Sequence, residues 1–146
     1  MSTEENKAIV RRFVEAGYNE GNFDAWDDIC VADLALGWPP NSDLTNLEVL
    51  KQSISRDRMG FPDLQAVIDD MIAEENKVVA RITYHGTNTG QWGKFPPTGK
   101  PVSTTSVIIF RLAEGKIVEA WYNTDLLGVF IQLGYELVPP KDESEG

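Results

Sequence analysis

Residues 102–124 read VSTTSVIIFRLAEGKIVEAWYNT, and their alternation decides the fold. The stretch is rich in β-branched and aromatic residues, which suit a pleated surface, and AEGK supplies a tight turn at Gly115. It therefore reads as two long antiparallel strands. Successive side chains of a strand point to opposite faces, so Thr104, Ser106, Ile108, Phe110 and Leu112 share one face. That face has a hydroxyl end and an apolar end, as the wall of a pocket would. Val107 and Ile109 share the other face with Ser103, Thr105 and Arg111, an apolar outer surface by ordinary standards.

Working outward, KVVARITYHGTNTGQW (77–92) reads as a further strand, with Val78, Ala80, Ile82, Tyr84, Gly86 and Asn88 facing the core and Arg81, Thr83, His85 and Thr87 facing out. LQAVIDDMIAE precedes it across a turn at Glu75 and Asn76. A helix over 126–133 follows the last strand. Towards the N-terminus, Ser2 and Glu5 have capping-box spacing, and Ile9, Val10, Phe13, Val14 and Tyr18 recur at helical intervals, which predicts a helix over 3–19 ended by Gly21. FDAWDDIC gives a second short helix, VADLALGW a strand ended by Pro39 and Pro40, and residues 46–58 a third helix closed by Gly60 and Pro62. Helices first and hairpin-linked strands afterwards predict an α+β domain over 1–138, its helices covering one face of a mostly antiparallel sheet. PPKDESEG at 139–146 reads as an acidic flexible tail.

Composition narrows the function. A chain of 146 residues with 42% hydrophobic and 25% charged side chains is long enough for one sizeable core and too polar for a membrane protein. Its start carries no secretory pattern and Cys30 has no partner for an intrachain disulfide, so a cytoplasmic protein is expected. Thirteen basic against 23 acidic residues leave a net charge of −10, which repels nucleic acid. One His, one Cys and no ligand spacing give no metal site, so metal: none is the expectation. GTNTGQWG lacks the Lys and Ser/Thr of a phosphate loop, and no GxSxG elbow is present. His85 lies with the outward polar set and reads as a surface or interface residue. What remains is acid–base chemistry on a small organic molecule, or binding alone.

RRFVEAGYNEGNFDAWDDICVADL, FPDLQAVIDDMIAEENKVVARITYHGTNTGQW and FPPTGKPVSTTSVIIFRLAEGKIVEAWYNTDLLGVFIQLG together resemble the SnoaL-like polyketide cyclase family from residue 3 to 134. The resemblance implies the cone-shaped nuclear transport factor 2-like fold, a curved sheet around a deep pocket closed by helices, in proteins that are commonly dimers pairing through their sheets. It implies intramolecular aldol ring closure of a polyketide ester without cofactor, and an acid/base at the aspartate after the Trp of the last strand, here Asp125. Asn88 stands where many relatives carry a pocket histidine, and Ala120 and Tyr122 stand where relatives often carry others.

Read from the residues alone, Asp125 is either a cap of the following helix or a proton-transfer group. Asn88 either satisfies buried neighbours or faces a ligand. Asn88 and Tyr122 are candidate donors to a substrate oxygen, and Trp38, Tyr84, Trp92, Phe95 and Trp121 are candidate pocket walls, each equally open to a packing role. Four Trp and an acidic surface suit a small hydrophobic, ring-containing ligand. Two functions follow: a proton-transfer enzyme of the cyclase type, or a pocket protein that binds without catalysis.

Overall fold

The computed structural model describes residues 1–37 and 46–141. Trp38, Pro39, Pro40 and the end of the acidic tail lie outside the described residues. Among the described residues, four α-helices and five strands follow the expected order: α1 (Thr3–Phe13), α2 (Asp24–Ile29), β1 (Cys30–Leu36), α3 (Leu47–Gly60), β2 (Gln65–Glu74), β3 (Lys77–Thr87), β4 (Pro101–Ala113), β5 (Lys116–Thr124) and α4 (Leu126–Gln132). The sheet order is β1-β5-β4-β3-β2. All pairs are antiparallel except β1 with β5, and register shifts in β1, β2 and β5 bend the sheet around the helices. No helix among the described residues is long and apolar enough to cross a membrane.

The chain leaves α1 through a π-helical turn, Val14–Asn19, rather than as one uninterrupted α-helix to residue 19. Two interactions account for it. The indole N–H of Trp26 donates to the Phe13 carbonyl at 2.9 Å, competing for a helical acceptor, and its ring stacks on Phe13 with centroids 4.4 Å apart. Gly17 lies so close beneath that ring that an added Cβ would sit 2.0 Å from it, so no larger residue fits. The Asn19 side chain then clamps Ala66 of β2, donating to its carbonyl at 3.0 Å and accepting from its N–H at 2.6 Å. The wide turn thus ends with Tyr18 buried against the sheet.

The strand parity holds. Val78, Ala80, Ile82, Tyr84 and Asn88 are buried on β3 and beyond it, as are Ser106, Ile108, Phe110 and Leu112 on β4. The strand predicted to run to residue 92 stops at Thr87, because from Asn88 the chain bonds within its own loop, to Lys100, Thr98 and Gly99, and through Gly90 and the Asn88 side chain to Gly60 of α3. The apolar half of the inner face packs under α1, α2 and α3 into the main core around Phe13, Trp26, Leu34 and Phe110. A second, smaller cluster of Phe61, Val102, Val129 and Leu133 forms at the other end, where α4 lies on β4.

Candidate functional site

A cavity of about 610 Å³ opens between the two clusters, in the size range of small-molecule sites. Its walls are mainly hydrocarbon and aromatic: Leu36, Leu50, Ile54, Phe61, Val102 and Phe130 among others. On the sheet side the inner face changes character. Along the register, Ala80–Ile108–Tyr122 gives way to Ile82–Ser106–Thr124 and then to Tyr84–Thr104, so packed hydrocarbon is followed by hydroxyls. Tyr84, Thr104, Tyr122 and Thr124 all line the cavity.

Among the described residues one carboxyl reaches it. In α3 the residues Leu47, Leu50 and Ile54 are buried at helical spacing, and the same stripe continues through Asp57 to Phe61. A residue at position 57 of that stripe must point inward, and Asp57 lines the cavity. The Trp92 indole N–H donates to its Oδ1 at 2.9 Å. Its Oδ2 takes no hydrogen bond from the described residues, which leaves that oxygen for a ligand. Burial among apolar groups pushes the Asp57 carboxyl up to about 6, while the Trp92 hydrogen bond and the Arg56 guanidinium hold it back. A carboxyl that titrates there exchanges a proton at physiological pH.

Among the residues singled out from sequence, Tyr84, Tyr122, Trp92 and Phe95 line the cavity. Trp92 and Phe95 sit on the loop after β3, pack against Phe130 with centroids 5.2 and 4.9 Å away, and roof the site. Asn88 is buried with its amide fully used. Its Nδ2 donates to the Gly60 and Gly90 carbonyls at 3.1 Å each, and its Oδ1 accepts from the Thr98 N–H and hydroxyl at 3.0 Å each. Of the two roles open to it, the structure gives it the first: it pins the aromatic loop to the end of α3. Trp121 faces away from the cavity, on the outer side of the sheet, 54% exposed, with its ring over Gly37 and its N–H bonded to Glu119. Strand parity is the reason, since inward Ala120 and Tyr122 flank it.

Asp125 caps α4. Its Oδ1 accepts from the Gly128 N–H at 2.9 Å, its side chain is exposed, and it is absent from the cavity walls although both sequence neighbours, Thr124 and Leu126, are in them. His85 is exposed. Asp57 was the residue that sequence reading missed. The signal was present as an acid at an apolar position of a helical stripe spaced 47, 50, 54, 57, 61.

The Asp57 carboxyl carries a stability signature. Its folded value of about 6 lies above the ordinary 3.8, so the native state binds this proton more tightly than the unfolded chain does. Stability from this group is therefore full below the ordinary value and is lost as pH rises between the two, by at most about 3 kcal/mol. Asp57→Asn keeps an acceptor for Trp92 and removes the charge. Urea denaturation should show Asp57→Asn gaining about 1–3 kcal/mol at pH 7.5 and differing little from the parent at pH 4. A loss of stability at pH 7.5, or equal effects at both pH values, would contradict this burial.

Comparison with known proteins places this geometry. The sequence model of the SnoaL-like polyketide cyclase family matches residues 8–133. The aklanonic acid methyl ester cyclase DnrD of Streptomyces peucetius is 30% identical over 130 residues, spanning 86% of this chain and 88% of that protein. DauD, the cyclase of the same name from Streptomyces sp. strain C5, is 29% identical over 133 residues, spanning 86% and 80%. The solved structure of TsrD from Streptomyces laurentii superposes with a TM-score of 0.81 at 28% identity, covering 92% of this chain and 98% of that one. The bent five-stranded sheet with its helices on the inner face is the nuclear transport factor 2-like cone, and the chain belongs to the SnoaL-like polyketide cyclase family.

Proposed function

We propose that the chain is a cofactor-independent enzyme that closes a ring by intramolecular aldol condensation, or carries out a closely related proton transfer, on a small hydrophobic carbonyl compound, with Asp57 as the group that moves the proton. The observation that carries this reading is a carboxyl in the wall of an apolar cavity, the one among the described residues, with an oxygen that none of those residues engages. A carbon flanked by carbonyls is already acidic, so one placed base suffices. Asp57 Oδ2 takes the proton from that carbon. The resulting enolate carbon bonds to the carbon of a second carbonyl in the same molecule, and the alkoxide formed there takes the proton back from Asp57. Trp92 holds the carboxyl in place through both transfers, and the aromatic roof keeps water from quenching the enolate. The aklanonic acid methyl ester named for DnrD and DauD supports an ester ligand for this chain.

The test is turnover of an aromatic polyketide ester bearing an unclosed β-dicarbonyl side chain. Asp57→Asn should lose about 100-fold or more, the usual scale for a general acid/base. Asp125→Asn, which caps a helix almost as well as Asp, should lose no more than a few-fold. The reverse pattern would move the acid/base to Asp125. A parent protein that binds such esters and never turns them over would be a binding protein.

We also propose that the chain forms a homodimer through the outer face of its sheet. Ile72, Val79, Ile109 and Trp121 stand in one register row across β2, β3, β4 and β5. Ile72, Ile109 and Trp121 are respectively 63, 42 and 54% exposed, with Val107 beside them. Such a continuous apolar row on one molecule suits a self-complementary partner. Light scattering at micromolar concentration should give about twice the 16.3 kDa of one chain, and a mass near 16.3 kDa would contradict it.

A further inference from the structure

Three phenols meet on the sheet side of the cavity. The hydroxyls of Tyr18 and Tyr122 are 2.9 Å apart, and that of Tyr84 lies beside Tyr18's. A second hydroxyl pair, Ser106 and Thr124, follows at 3.0 Å. Tyr84 also stands within hydrogen-bonding reach of Ser106, so Tyr122, Tyr18, Tyr84, Ser106 and Thr124 form a chain of five hydroxyls with four links. Five hydrogens meet four links, so one hydrogen at an end of the chain, on Tyr122 or Thr124, has no acceptor within it. A buried hydroxyl hydrogen without an acceptor costs free energy, so its remaining outlet is a group in the cavity that all three tyrosines line.

The pair is suited to a negatively charged oxygen. Burial raises the Tyr18 and Tyr122 phenols, so both remain protonated donors at neutral pH. The free hydroxyl is polarised by the one bonded to it, and both face a cavity walled mainly by hydrocarbon, where a donor aimed at developing charge is most effective. The Asp57 carboxylate acts on all three phenols through space. Once Asp57 has taken a proton that repulsion is gone, at the moment when the ligand oxygen carries the charge.

We propose that the Tyr18–Tyr122 pair, with Tyr84 beside it, is an oxyanion-binding site that receives the enolate or phenolate oxygen of an aromatic ligand. The proposal rests on the functional reading of this pocket but uses different atoms, and its test reads binding rather than turnover, so a failure of Asp57 as the base leaves it standing.

Titration calorimetry with 6-nitro-2-naphthol and with its methyl ether probes the oxygen, because the ether keeps the ring and the nitro group and has an oxygen that cannot ionise. Absorbance reports whether the bound naphthol is ionised. The parent should bind the naphthol at least about tenfold more tightly than the ether, and Asp57→Asn should keep or enlarge that preference. Tyr18→Phe combined with Tyr122→Phe should reduce it below about threefold and leave the ether's affinity unchanged. If circular dichroism shows that the double variant does not fold, Tyr122→Phe alone decides, with an expected drop in preference of about threefold or more. No preference in the parent, or a preference that survives loss of the hydroxyls, overturns the proposal. A preference lost in Asp57→Asn and kept in the tyrosine variants assigns the oxygen to the carboxyl and overturns it equally.

Discussion

The inner face of the sheet changes from hydrocarbon to hydroxyl partway along β4, and much of the molecule is arranged around that change. Helices can seal the Phe110 end because apolar surfaces pack without leaving polar groups stranded. They cannot seal the Ser106–Thr104 end in the same way, since hydroxyls pressed against hydrocarbon would lose their partners. The chain leaves a cavity there and closes it with a second cluster, built from Phe61, Val102, Val129 and Leu133, that belongs to different elements. The site is what remains between two cores that cannot merge.

Asp57 completes this arrangement at a cost. Its carboxyl occupies a place on α3 where the stripe of Leu47, Leu50 and Ile54 calls for an apolar residue, and burial there disfavours its charge. A single hydrogen bond from Trp92 fixes one oxygen. That indole in turn depends on Asn88, whose four side-chain hydrogen bonds tie the roof loop to the end of α3. Asn88, outside the cavity wall, thus helps to fix the carboxyl within it, and burial there is what strengthens that carboxyl's hold on its proton.

Most of the fold was legible because it rests on two periods. The alternation in 102–112 and 77–88 named the buried side of β3 and β4 residue by residue, and helical spacing located α1, α3 and α4. The π-helical turn at Val14–Asn19 was not legible, since it depends on Trp26 reaching the Phe13 carbonyl from another helix. The site was read in part. Tyr84 and Tyr122 line the cavity, and their inward parity is visible in the sequence, whereas Trp121 was named with the walls although the same parity turns it outward. Asp125 drew attention through its place in a family pattern, and its bond to Gly128 is a local one that any helix start offers. Asp57 escaped notice because RDR at 56–58 looks like a solvated charge run, and only the spacing from Leu50 and Ile54 separates it from its neighbours.

The central claim is that this one carboxyl is held in an apolar wall and titrates near neutrality. Carbon-13 NMR of the side-chain carboxyls, with the Asp57 signal assigned by its disappearance in Asp57→Asn, measures this directly. The account predicts a midpoint of about 6 for Asp57 in the free protein. A midpoint near 4, the ordinary value for an exposed aspartate, would contradict it.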